Sequence, residues 1–244
     1  MRRLIVNADD FGLSEGVNAG IVQAHEDGIV TSASLMVCQR AAEQAAALAA
    51  RLPRLGVGLH IDLWESTVRD GQWVLLYSRT NEEPTAIERE VRAQLARFRQ
   101  LMGREPDHLD THQHVHRHEP TATVVARVAR ELSLPLRGDG TVRYVGGFYG
   151  QDDIGAPYPE GITVERMLEL LDSLEPGWTE IGCHPGHVGP NDLLGGTMYR
   201  FERYREVATL CDARVRARLT CSDVLLTNFA QVPAATAPAW EVRD

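Results

Sequence analysis

Two carboxylates and a run of histidines carry the most conspicuous chemistry in this chain. Asp9-Asp10 follow the apolar stretch Leu4-Ile5-Val6, and five of the nine histidines fall between His108 and His118. Adjacent carboxylates at a strand end repel unless a cation or hydrogen bonds hold them. Successive side chains point in different directions, so one can ligate a metal while the other faces a substrate. The alternation His112-Gln113-His114-Val115-His116 predicts three imidazoles on one side of an extended chain. Neutral imidazole is the commonest metal ligand, which predicts a metal role for at least one of them. His60, in Gly58-Leu59-His60, and His184, in Cys183-His184-Pro185-Gly186, also end apolar runs. The first is a candidate ligand and the second a candidate catalytic group. One carboxylate and two histidines leave coordination positions open, as a catalytic metal requires. A second Asp can then take a proton from water and a histidine can protonate a leaving amine, which is the chemistry of metal-assisted hydrolysis.

The elements that must position these groups alternate. Strands are expected at Leu4–Val6, Ser34–Val37, Val57–Ile61, His108–His112, Leu134–Arg137, Thr179–His184 and Ala217–Cys221. Helices are expected from the Ser14 cap to Gly28, over Ala41–Arg51, from a Thr85/Glu88 capping box to Met102, from Pro120 to Leu132, from the Thr163 cap to Leu174 and over 199–212, with a short one capped by Ser222. Residues 64–83 and 138–162 read as two long loops. About seven βα units without a break in composition predict an α/β fold, a deformed barrel of parallel strands with the active site at their C-terminal ends. Asp9-Asp10, His60, His112, Arg137 and His184 all fall at such ends. The expected domain is a single one over residues 1–231, with 232–244 as a poorly ordered tail.

Composition removes several alternatives. The 244 residues carry a net charge of −9, which argues against nucleic acid or an anionic membrane as partner. No apolar run approaches membrane-spanning length, and the N-terminus turns polar too soon for a signal peptide. All 25 basic residues are arginine, which excludes Schiff-base lysine and P-loop lysine chemistry. Cys38, Cys183, Cys211 and Cys221 form no metal or disulfide spacing, so a reducing cytoplasm is the expected setting.

The motifs as a set resemble the YdjC-like carbohydrate deacetylases. The resemblance rests on Asn7-Ala8-Asp9-Asp10-Phe11-Gly12-Leu13 with Asn18, Gly28-Ile29-Val30-Thr31-Ser32-Ala33-Ser34-Leu35-Met36, Gly58-Leu59-His60, His108 to His116, and Cys183-His184-Pro185, in order over nearly the whole chain. It implies a deformed (β/α) barrel, one divalent metal ion such as zinc or magnesium, hydrolysis of an N-acetyl group on an amino sugar or small glycoside, and a homodimer. By that resemblance the metal ligands are Asp10, His60 and His112, the general base is Asp9 and the general acid His184, with Arg137 near the base or substrate. His114 and His116 would then contact substrate or support the ligands. The segment between His60 and Thr85 departs from the chitooligosaccharide enzymes, so chitobiose specificity does not transfer. Trp64, Trp73, Tyr77, Phe148, Tyr149 and Tyr158 in the two long segments are candidate sugar-stacking faces, and 191–198 a candidate lid. Two other readings fit the same residues: another metal hydrolase, such as a phosphoesterase, and a non-catalytic sugar-binding protein on the same barrel.

Overall fold

The computed structural model of the chain describes residues 1–152, 154–189 and 197–233. Its centre is a curled parallel sheet. In chain order the strands and helices are β1 (Arg2–Phe11), α1 (Glu15–Glu26), β2 (Ser32–Leu35), α2 (Ala42–Ala49), β3 (Gly56–Ile61), β4 (Trp64–Arg69), β5 (Gln72–Ser78), α3 (Pro84–Met102), β6 (Leu109–Thr111), α4 (Thr121–Leu132), β7 (Arg143–Val145), α5 (Val164–Asp172), β8 (Gly177–Cys183), α6 (Phe201–Leu210), α7 (Ala213–Thr220) and β9 (Val224–Leu226). The sheet order is β6-β3-β2-β1-β8-β7, and every pairing within it is parallel. One flank of β1 is divided between two partners: β9 pairs with Arg2–Leu4 and β2 with Asn7–Phe11. The expected α/β deformed barrel is the architecture found.

β1 is buried from Leu4 to Phe11, as a central parallel strand with helices on its outside must be. α1 covers it with Val17, Ile21 and Ala24, spaced four and three residues apart on one helix face. Ser14 starts that helix by accepting a hydrogen bond from the Val17 N–H at 3.1 Å. Gly20 lets α1 approach the turn after β8, since a Cβ there would lie 2.4 Å from the Gly186 Cα. That close approach packs the turn two residues after His184 against α1.

Several local expectations are corrected. Residues 64–83 contain the antiparallel β4–β5 hairpin, a separate two-stranded sheet. The Leu134–Arg137 strand shrinks to one bridge, Leu136 to Leu109, because Pro135 has no N–H to extend a ladder. The second long loop holds β7, which closes the far edge of the sheet. Thr85 and Glu88 form no capping box. Pro84 opens α3, and Glu88 pairs instead with Arg92 and Arg127. Ala217–Thr220 is helical, the end of α7, with Cys221 as its C-cap, because the Asp212 side chain caps Arg214 N–H at 2.7 Å and Val215 and Leu219 face inward. The last strand is Val224–Leu226, and Ser222 caps no helix: its hydroxyl donates to the Leu219 carbonyl. The Thr163 cap is present, accepting from Arg166 N–H. The expected tail from 234 onward and most of the expected lid, 191–196, lie outside the described residues. No helix among the described residues is long and apolar enough to cross a membrane.

Candidate active site

The site begins with a bulge. β1 changes register against β2 between Ala8 and Phe11, and Asp10 takes a left-handed φ of 68°. A bulge of this kind re-aims side chains beside a sheet end. Here it turns two adjacent carboxylates, which would face opposite sides of a regular strand, into one cavity. Both are 2% exposed.

Asp9 points to Arg137. The guanidinium grips it with two bonds of 2.7 Å, Nη1 to Oδ2 and Nη2 to Oδ1, and Asn7 Nδ2 donates to Oδ1 at 2.9 Å. Burial works against ionising Asp9, yet the Arg137 charge and its paired hydrogen bonds hold the carboxyl below its ordinary value. Arg137 is itself buried and also meets Glu180 Oε1 at 2.6 Å and Asp110 Oδ2 at 2.8 Å. One cation thus serves three carboxylates from three strands, β1, β6 and β8.

Asp10 points the other way, to His60 and His112. Its Oδ1 lies 3.5 Å from His60 Nε2 and 3.2 Å from His112 Nδ1. Its Oδ2 accepts from Arg203 Nη2 at 2.6 Å. Burial opposes its charge, and Arg203 with the two imidazoles holds the carboxyl well below the usual range. Oδ1 is buried and makes no hydrogen bond of acceptable geometry. One ligand atom from each of Asp10, His60 and His112 falls within a 4.8 Å cluster. Each histidine turns its remaining nitrogen to a carboxylate: His60 Nδ1 to Asp110 Oδ1 at 2.8 Å, and His112 Nε2 to Glu65 Oε2 at 2.5 Å. Carboxylates behind imidazoles fix the tautomer and ring orientation that a metal needs. Burial tends to discharge both rings, but the surrounding carboxylates raise His60 to about 10 and His112 well above its ordinary value. The same negative field favours a divalent cation. This orphaned buried oxygen and the mixed N/O donor set fit one such ion. Asp9, His60 and Asp110 form a second compact trio, but Arg137 already bonds oxygens of both its carboxylates.

His184 sits across from this cluster, with Nε2 3.8 Å from Asp9 Oδ2. Tyr149 and Tyr199 flank its ring at 5.3 Å each. α6 holds its backbone: Glu206 accepts the His184 N–H, and Arg203 Nη1 donates to the His184 carbonyl at 3.4 Å. Burial pushes the imidazole down to about 4, against the pull of Asp9 and Asp10, so it is neutral near pH 7. Asp9, Asp10, His60, His112 and His184 all line one cavity of about 550 Å³.

A family model described as YdjC-like protein matches residues 3–220. The chain belongs to the YdjC-like family. It is 36% identical over 252 residues to a carbohydrate deacetylase of Geobacillus stearothermophilus, with 93% of this chain and 97% of that one covered. It is 35% identical over 244 residues to a chitooligosaccharide deacetylase of Salmonella paratyphi B, covering 89% and 94%. Among solved structures, a protein of Enterococcus faecalis described by a role in cellobiose-phosphate cleavage superposes with a TM-score of 0.75 at 27% identity, covering 93% and 97%. A family 4 acetyl xylan esterase of Clostridium thermocellum, solved with a cobalt ion, shares the fold alone, with a TM-score of 0.51 at 13% identity over 95% and 90%.

In this YdjC-like chain the remaining histidines separate. His112–Arg117 is a 3-10 turn, not an extended strand, and Gln113 and His114 both take a φ of 52°. The predicted row of three imidazoles therefore does not exist. His112 turns to Asp10, His114 lies 3.3 Å from the Tyr144 hydroxyl, and His116 Nδ1 lies 2.6 Å from Thr111 Oγ1. His108 is structural, 3.0 Å from Ser34 Oγ, stacked on Phe229 and packed over Gly58. Of the candidate stacking faces, Trp64, Trp73, Phe148 and Tyr149 line the cavity. Tyr77 donates to Asp62 instead, and Tyr158 is not among the lining residues.

Sequence reasoning assigned no role to Asp110, Glu65, Glu180, Arg203 or Glu206. Three carried a signal. Glu180 interrupts an apolar strand, and Arg203 and Glu206 occupy the stripe that continues as Val207 and Leu210. Charges at core-facing positions ask for partners. Glu65 gave none, because its position depends on the hairpin.

Proposed function

We propose that this chain is a metal-dependent hydrolase that removes the N-acetyl group from an amino sugar or small glycoside. One observation carries the reading: a buried Asp10–His60–His112 donor set with carboxylate-backed imidazoles shares a cavity with an Arg-held carboxylate and a neutral histidine. The relatives named carbohydrate and chitooligosaccharide deacetylases support it. Asp10, His60 and His112 would hold a divalent cation, zinc or magnesium in this proposal, which would supply Lewis-acid polarisation of an acyl carbonyl and lower the pKa of a water.

The chain's own residues do the rest. Asp9, kept ionised by Arg137, accepts a proton from the attacking water at Oδ2, which takes one hydrogen bond, from Arg137, where Oδ1 takes two, from Asn7 and Arg137. His184 Nε2, 3.8 Å from that oxygen, accepts the proton next. Asp9 and Asp10 stabilise the imidazolium that results, and it delivers the proton to the leaving nitrogen. Tyr149 and Tyr199 confine the ring to that path. A cavity of about 550 Å³ with Trp64 and Trp73 in its wall suits a sugar of one or two rings. A cytoplasmic homodimer completes the proposal.

The test is acetate release from a panel of N-acetylated sugars, with metal-stripped protein and with each divalent metal restored. Metal-dependent release from one sugar is the expected result. Release that survives chelation, or that persists in Asp10→Ala, would sink the mechanism. A molecular mass by light scattering tests the dimer.

A further inference from the structure

Asp62 ends the same apolar run as His60, yet it does not line the cavity and takes no part in the proton path above. It is fully buried and unusually well furnished with donors. Gln39 Nε2 donates to it at 2.9 Å, the Tyr77 hydroxyl at 2.8 Å, and Arg79 through Nε at 3.0 Å and Nη2 at 2.9 Å. Its backbone is fixed on both sides by the buried Gln94 of α3, whose Oε1 accepts the Asp62 N–H while its Nε2 donates to the Asp62 carbonyl. Such a carboxylate is an anchor, and Tyr77 and Arg79 lie in β5 and directly after it.

What the anchor holds leads back to the metal cluster. Tyr77 stands directly across the hairpin from Glu65. The register shifts between Glu65 and Ser66, which leaves Leu76 of β5 as the extra, unpaired residue of a bulge beside Tyr77. Glu65 Oε2 meets His112 Nε2, and His112 Nδ1 faces Asp10. Gln113 adds a second tie, accepting the Ser66 N–H at 3.0 Å and donating to the Ser66 carbonyl at 2.7 Å. The same hairpin places Trp64 and Trp73 in the cavity wall.

We propose that Asp62 is a positioning residue for the metal site, acting through Tyr77 and the β4–β5 hairpin on Glu65 and so on His112. The hairpin then couples the substrate wall to the orientation of one metal ligand. This rests on the ligand set proposed above, but its test reads metal binding and not turnover.

The experiment measures cobalt and zinc affinity by chelator competition on the full chain, with unfolding midpoints recorded in parallel. Glu65→Gln, which removes the direct partner, is expected to weaken binding roughly tenfold or more. Asp62→Asn and the gentler Tyr77→Phe, which keeps the ring, are each expected to weaken it by a smaller factor, about two- to tenfold. In the Glu65→Gln background both effects are expected to vanish, because contacting pairs are non-additive. Affinity unchanged in both Asp62→Asn and Tyr77→Phe, with only the unfolding midpoint lowered, would reduce Asp62 to a structural residue and overturn the proposal. Full additivity with Glu65→Gln would overturn the route through the hairpin. If Asp62→Asn does not fold, Tyr77→Phe decides alone. Failure of all variants, and of Asp10→Ala, to alter metal affinity would refute the ligand set itself.

Discussion

His60 and His112 face the same carboxylate oxygen from two different kinds of support. His60 is a residue of β3, pairs in register with Asp110 on β6, and hands its second nitrogen to that same Asp110. Asp110 is in turn held by Ser34 on β2 and by Arg137. Every member of this arm belongs to the parallel sheet or its edge, and none is more than 1% exposed. His112 instead sits in a 3-10 turn with two left-handed residues behind it, and its carboxylate comes from the β4–β5 hairpin, outside the main sheet. The hairpin's outer strand is largely exposed, Trp73 at 56% and Leu75 at 60%. One proposed ligand is built into the core, and the other is held by an appendage that also lines the cavity. In the proposed site the first arm would supply rigidity, and the second would let the cavity wall bear on the metal.

The largest effect should come from the point both arms share. Asp10→Ala is expected to abolish metal binding and to lower turnover at least about a thousandfold, read as metal content per chain and initial rate. Asp9→Asn should cost roughly 10²–10⁴ in turnover while metal content stays at one per chain. Loss of metal in Asp9→Asn would erase the division of labour between the two carboxylates.

The two supporting carboxylates test the comparison directly. Asp110→Asn breaks a buried cluster around Arg137 and is expected to cost roughly 3–5 kcal/mol of stability, measured by urea denaturation. Glu65→Gln should leave most of the stability in place and act on metal affinity instead. Equal losses of stability in the two variants would mean that the hairpin arm is as deeply built in as the sheet arm.

His108 gives a pH signature of the sheet arm. Burial pushes its imidazole down to about 4, against the opposing pull of Asp110. A base whose folded pKa is depressed contributes stability that is full above the unfolded value of 6.5 and is lost as pH falls toward about 4. Protonation there costs about 3 kcal/mol over that window. Stability measured from pH 7 to 4.5 should fall less steeply in His108→Gln than in the wild type, and an unchanged slope would remove His108 from the acid sensitivity. The smallest effect is expected from the hairpin's rim: Trp73→Ala should raise KM several-fold, about 1 kcal/mol, with kcat unchanged.

The strand ends were legible because a buried parallel strand is a short apolar run, and Leu4–Val6, Val57–Ile61 and Thr179–Cys183 are such runs. The pairs at those ends, Asp9-Asp10, His60 and His184, stood out as polar residues where apolar ones end. The hairpin was not legible. Its β5 reads Gln72-Trp73-Val74-Leu75-Leu76-Tyr77-Ser78, with no clean alternation, because it packs little of either face. Ala217–Cys221, which covers the end of α7, reads as a strand because the helix's inward residues, Val215 and Leu219, are few and the helix is set by the Asp212 cap.

By itself the sequence determined the chemistry available: which carboxylates and imidazoles exist, that no lysine competes, and that strand ends deliver them to one face. Tertiary structure decided the roles. Whether Asp9 or Asp10 meets an arginine fork or an imidazole pair depends on a one-residue bulge and a φ of 68°. Whether His112, His114 or His116 faces Asp10 depends on two left-handed residues that break their alternation. The partners that orient the ligands come from residues 47 and 50 positions away, Glu65 for His112 and Asp110 for His60. Local residue types bound the possible reactions because donor chemistry is intrinsic to the side chain. Which lone pair points where is a property of packed backbone, and only the folded chain fixes it.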